Sequence, residues 1–222
     1  CLLEVEKLSE TGKAGADAWA RVQNVQAETS FQEALRTWLY RTPIHGSMPN
    51  DEGDTAVVDG FVSDYLANFD GFMDRQCEKL MASMPESGDS TKRFDESKAA
   101  AREFLNALDA EEADRPRLKR IRAGLLFIES YRTLPLLAWP RLLLDTVVEL
   151  EELTLIWRNR HARMVERMIG RRVGTGGSSG VDYLDNTAKV RIFTDLWAVR
   201  TVMMPKDTLP KLSNPDFYGF AT

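Results

Sequence analysis

The stretch RNRHARMVERMIGRRVGTGGSSG, Arg158 to Gly180, joins two patterns that together constrain the fold. In its first half, and starting one residue earlier, Trp157, His161, Met164, Val165 and Met168 recur at offsets of three and four, so they share one helix face. The run Gly174-Thr175-Gly176-Gly177-Ser178-Ser179-Gly180 that closes it is a loop composition. Such loops often hold phosphate. This one lacks the lysine of a phosphate loop, has Ser179 where the last glycine of G-x-G-x-x-G should stand, and follows a helix rather than a strand. Its backbone N–H groups and hydroxyls suit a small polar group such as an ammonium or a carboxylate. A plain flexible connector has the same composition.

Working outward, the rest of the chain also reads as helices. Val57, Val58, Phe61, Val62, Tyr65, Leu66, Phe69, Phe72 and Met73 fall on one helical face, with Asp54 as N-cap. Pro85 to Ser90 reads as a loop. Further helices are expected over Ser97–Leu108, Leu118–Tyr131 and Arg141–Ile169, the last ending at Gly170. Pro135 and Pro140 interrupt the chain ahead of it. One more helix is expected between Thr187 and Met203, closed by Pro205. No segment alternates like a strand, and no solenoid repeat is visible. The fold class is therefore all-α: a single helical domain over 1–222 with an irregular tail after about 205.

With 222 residues and 43% hydrophobic content, the chain can bury a sizeable core. A net charge of -5 gives it no overall electrostatic reason to seek nucleic acid or an anionic membrane. Two cysteines, Cys1 and Cys77, make no disulfide framework and fit a reduced, cytoplasmic setting. No apolar run approaches the ~20 residues of a membrane span. The opening residues show no signal-peptide pattern, although the chain starts on Cys1 rather than Met.

Both histidines sit in informative places. The face carrying His161 is expected to look into the core, either as a buried, hydrogen-bonded histidine or as a neutral imidazole on a metal centre. One histidine is too few for a structural zinc site without cysteines nearby, but it suffices as the axial ligand of haem iron. His45, in Thr42-Pro43-Ile44-His45-Gly46-Ser47, lies in an ordered turn behind Trp38 and Tyr40. It reads either as a solvated surface group or as a donor or base held over a ligand. Arg132, at a helix end, is a surface charge or a bidentate grip for a substrate carboxylate. The acidic runs at Glu111-Glu112 and Glu149-Glu151-Glu152 read as solvated helix faces.

The combination of R-x-R-H, M-V-x-R-x-I-G and G-T-G-G-S-S-G resembles the proximal-haem and glycine-loop region of tryptophan 2,3-dioxygenase. The likeness continues through Asp182-Tyr183-Leu184 and Arg191-Ile192-Phe193-Thr194-Asp195-Leu196-Trp197 to Pro205 and Leu209-Pro210, about a quarter of the chain. It implies the family's helical fold, a haem b whose iron is ligated by His161, and a loop in which Thr175, with Gly176 beside it, contacts the amino-acid backbone of the substrate. The family's His-Asp-Glu stretch is not found in the N-terminal half. The setting of His45 looks more like the wider superfamily of histidine-ligated haem aromatic oxygenases, which includes bacterial tyrosine 3-hydroxylases of antibiotic and other natural-product pathways and a tryptophan-to-oxindole monooxygenase. The expected activity is 3-hydroxylation of free L-tyrosine with O₂ or hydrogen peroxide. His45 would be catalytic, Thr175, Gly176 and Arg132 would bind substrate, and Ser47, Tyr40 or His45 itself would meet the phenol. The alternatives are oxidation of L-tryptophan or a derivative, by one oxygen atom or two, and a non-catalytic haem-binding module. A homo-oligomer is expected.

Overall fold

Ten consecutive residues of one helix, Arg120–Glu129, are buried. A helix is covered on all sides only where others surround it, so this segment marks the centre of the architecture. The structure is a computed structural model and describes residues 15–83, 89–171 and 180–219. Its helices are α1 (Ala16–Ala27), α2 (Phe31–Tyr40), α3 (Asp54–Ser83), α4 (Asp89–Leu105), α5 (Arg115–Ser130), α6 (Ala138–Ile169), α7 (Val181–Thr187) and α8 (Thr194–Ala198). Short 3-10 turns occupy Pro135–Leu137, Val199–Val202, Lys206–Thr208 and Asp216–Tyr218. No strand occurs among the described residues; the one extended pairing is an isolated bridge between Ile44 and Ser47. The chain divides into two compact units, 1–38 and 39–222.

Within the first unit, α2 starts at a capping signal that the periodicity reading passes over. Ser30 Oγ accepts the Glu33 N–H at 3.1 Å, satisfying a donor the first turn leaves free.

In the second unit the core is built on α5. Val58, Phe61, Val62, Tyr65 and Phe69 of α3, Phe104 and Leu105 of α4, and Leu144 and Val147 of α6 are all buried with it. Three charged side chains of α5 are buried, and each is paired, as burial of a charge requires. Arg122 forks onto Asp109 at 2.6 and 2.7 Å and reaches Asp195 at 3.0 Å. Glu129 takes both arms of Arg200, at 3.0 and 3.1 Å. The Arg120 Nε lies 2.9 Å from Asp54 Oδ2. Gly124 is required by a close approach: a Cβ there would sit 2.6 Å from the Leu39 carbonyl oxygen.

The helix expected over Ser97–Leu108 is longer at its start and shorter at its end, as Asp89–Leu105. Of the loop read from Pro85 to Ser90, residues 85–88 lie outside the described residues, and the last two open α4. Pro140 does not interrupt a helix: it sits in the first turn of α6, where no intrahelical N–H bond is lost. Asp54 begins α3 rather than capping it, because its carboxylate is engaged by Ser47 and Arg120. The helix expected between Thr187 and Met203 is corrected to one short helix, α8, and a 3-10 turn, with α7 ending at Thr187. Backbone donors in the break, at Ile192 and Phe193, bond to the Glu151 carboxylate instead of to a preceding turn.

Candidate functional site

His45 and Gly46 form the tip of a two-residue turn. Ile44 and Ser47 exchange both backbone hydrogen bonds, at 3.0 and 2.9 Å. The φ angles of His45 and Gly46 are 52° and 86°, the positive pair of a type I′ turn. The turn is anchored from the α5 side. Arg120 donates to the Thr42 carbonyl at 3.1 Å, and Ser47 Oγ donates to Asp54 Oδ1 at 2.9 Å. The half-buried imidazole stands edge-on to Phe61 and Phe127, with ring centroids 5.7 and 5.8 Å apart. Burial holds its pKa below the ordinary value, and the Asp64 carboxylate opposes this in part.

His161 lies in the last third of α6. The expectation that its face looks into the core is corrected: Trp157 is 57%, Met164 51% and Met168 75% exposed. The buried side of α6 runs instead through Leu144, Val147, Glu151 and Ala162. Spacing identifies residues that share a face but not which face packs. The His161 ring stacks on Trp157, centroids 5.4 Å apart and planes within 9°. It makes no hydrogen bond among the described residues, so it is not the satisfied core histidine. Beside it a surface hollow of about 520 Å³ is lined by Asn159, Arg160, Arg163, Met164, Arg167 and Met168.

The chain on either side of the glycine loop is tied to α6. Arg171 pairs with Asp182 at 2.6 Å, Arg163 pairs with Asp185, and Arg158 donates to the Val190 carbonyl at 2.9 Å. Thr175 and Gly176 lie outside the described residues. Arg132 is exposed just past the end of α5 and contributes only a favourable field at Glu129. His45 and Ser47 share one turn; no contact joins them to Arg132 or His161 among the described residues. Ser47 has its hydroxyl proton committed to Asp54, and Tyr40 lies beside the Arg120 guanidinium.

Three residues were missed at the sequence level. Glu151, read as part of a solvated acidic face, is buried and accepts the N–H groups of Ile192 and Phe193 and the indole N–H of Trp197. Tyr218 and Ser213 reach the His45 turn from the C-terminal segment. No local pattern signals any of the three.

The described residues define a helical protein with an imidazole that makes no hydrogen bond among them, on an apolar helix face that precedes the glycine-rich run in sequence. The chain belongs to the tryptophan 2,3-dioxygenase family, which it matches over residues 12–203. It is 45% identical over 215 residues to a tryptophan 2,3-dioxygenase-like protein of Xanthomonas campestris pv. campestris, covering 94% of this chain and 78% of that one. It is 44% identical over 199 residues to tryptophan 2,3-dioxygenase 2 of Ralstonia nicotianae, with 86% of this chain and 53% of the relative covered. Tryptophan 2,3-dioxygenase of Sorangium cellulosum is 43% identical over 223 residues, again with 53% of its length covered. The chain thus spans about half the length of the last two relatives. No described helix is long and apolar enough to cross a membrane.

Proposed function

We propose that this chain binds haem b through His161 and oxidises free L-tryptophan, or a close derivative, with O₂. The observation that carries the reading is the His161 imidazole, which makes no hydrogen bond among the described residues and lies on an exposed apolar face inside the family-matched span. A flat apolar group bearing carboxylates fits this surface. Trp157, Met164 and Met168 offer apolar contact, and Arg160 and Arg167 have no ion pair among the described residues. No cluster of three or more His, Cys, Asp or Glu among the described residues offers a bare metal ion an equivalent site. Bound there, haem would supply a redox-active iron for O₂ chemistry.

The chain's own residues bind and orient. Thr175, with Gly176 beside it, would hold the substrate ammonium and close over it, and Arg132 is the candidate for its carboxylate. His45 would offer a polar contact on a rigid turn. The names of the relatives favour tryptophan over the tyrosine 3-hydroxylation expected from the setting of His45, and none of them points to antibiotic biosynthesis. Relatives named dioxygenases favour O₂ over peroxide as oxidant.

The test is turnover of haem-loaded protein with tryptophan and, separately, tyrosine, under O₂ with reductant. A tryptophan product carrying two added oxygen atoms supports ring-opening dioxygenation, and one carrying a single added atom supports the oxindole-type reaction. Full haem occupancy with neither product would overturn the reading and favour a binding module.

A further inference from the structure

Two segments far apart in sequence, Pro43–Ser47 and Ser213–Tyr218, meet around His45. Tyr218 is fully buried. Its hydroxyl accepts the Gly46 N–H at 3.0 Å and donates to the Pro43 carbonyl at 2.9 Å. One phenol therefore grips the chain on both sides of His45. Burial pushes its pKa up to about 12, so the donated proton stays in place at neutral pH. The C-terminal segment lies close against the turn: a Cβ on Gly46 would meet Asn214 Nδ2 at 3.2 Å and the Phe217 ring at 3.6 Å. A non-glycine residue at positive φ costs about 1–2 kcal/mol and persists only where its surroundings hold it. Tyr218 on one side and Arg120 on the other supply that hold.

The Ser213 backbone N–H points at His45 Nδ1 from 3.2 Å. A backbone amide N–H can only donate, so Nδ1 must keep its lone pair. In a neutral imidazole the proton then sits on Nε2. A base at Nε2 would need the proton moved to Nδ1, where two N–H groups would face each other.

We propose that the C-terminal segment fixes His45 as its Nε2–H tautomer, with the Ser213 amide selecting the nitrogen and Tyr218 as the positioning residue that holds the turn. His45 then acts towards a ligand as a hydrogen-bond donor and not as a base, replacing the proton-shuttle role expected from sequence. The contact with substrate rests on the function proposed above; the tautomer does not. Burial lowers the His45 pKa and so favours the neutral ring, in which Nδ1 can accept the amide.

The chain has two histidines, so His161→Gln leaves His45 as the single one. Long-range proton–nitrogen NMR of ¹⁵N-histidine-labelled H161Q at pH 8 reports which ring nitrogen carries the proton. The expected result is one tautomer, with Nδ1 unprotonated. Adding Ser213→Pro, which deletes the amide donor, or Tyr218→Phe, which deletes both turn contacts, should shift both ring nitrogens towards the averaged values of a free histidine. Two outcomes overturn the proposal: protonated Nδ1 or averaged nitrogens in H161Q, or an unchanged spectrum when Tyr218→Phe is added. Tyr218→Phe decides alone where Ser213→Pro does not fold. Failure of the wild-type protein to oxidise tryptophan would refute the function and leave the tautomer result standing.

Discussion

Glu151 of α6 holds Trp197 of α8 by its indole N–H, and the same carboxylate accepts the backbone N–H groups of Ile192 and Phe193, the latter at 3.0 Å. One buried side chain thus fixes the break that separates α7 from α8. Leaving a buried donor without an acceptor costs about 1–3 kcal/mol, and bonds to an ionised group are the stronger kind. Glu151→Ala removes the acceptor of three hydrogen bonds, of which the one from the Phe193 N–H is buried and the other two are part-buried, and is expected to destabilise the protein by about 1–3 kcal/mol. Glu151→Gln keeps one acceptor oxygen and should lose less. Urea unfolding of the three proteins checks the order; an alanine variant as stable as wild type would contradict it.

Gly124 faces the Leu39 carbonyl so closely that a methyl group would stand 2.6 Å from its oxygen and 3.0 Å from Thr42 Cβ. A backbone oxygen cannot swing aside as a flexible side chain can. Alanine normally favours a helix over glycine by ~1 kcal/mol. Here overpacking, at about 1–3 kcal/mol, should exceed that gain. Gly124→Ala is expected to lower the urea midpoint with the unfolding slope unchanged. A raised midpoint would show that the segment 39–42 gives way freely.

The periodic segments were legible because their information is local. The apolar face from Val57 to Met73 lies within α3, and Gly170 ends α6 where the glycine suggests. Residues whose partners are remote were not legible. The Arg191-Ile192-Phe193 run reads as helix until Glu151, 41 residues earlier, captures its donors. Tyr218 meets Gly46 across 172 residues. For α2 the signal is the local Ser30-x-x-Glu33 cap, which is not an apolar stripe. The Trp157 face shows a different limit: periodicity grouped the right residues and assigned them to the wrong side.

Burial depresses the His45 pKa below 6.5, which gives its contribution to stability a definite sign. At acid pH the unfolded chain binds a proton that the folded protein resists, so stability rises with pH through that window. The contribution is fully present above the unfolded pKa of about 6.5 and is lost as pH falls through the lowered folded value. His45→Gln removes the titration. Wild type should lose more stability than the variant between pH 7.5 and pH 5 in parallel denaturant titrations. Equal losses would mean that His45 titrates alike in both states.

His161 is half-buried on an exposed apolar face, stacks on Trp157 and makes no hydrogen bond among the described residues. Removing such a side chain leaves no buried partner unsatisfied and opens no core cavity. Fold stability should therefore change by no more than about 0.5 kcal/mol. If the imidazole is the axial ligand, haem binding has no substitute, because the other histidine, His45, is held in its own turn by Ser213. His161→Ala is accordingly expected to keep its helical circular dichroism and unfolding midpoint. It should lose stoichiometric haem, or show an absorption spectrum without imidazole ligation. Imidazole added to the alanine variant should restore the wild-type spectrum in part, since the missing ring leaves room for it. Fold loss alongside haem loss would mean a structural role instead. Normal haem content with an unchanged spectrum would remove His161 from the iron.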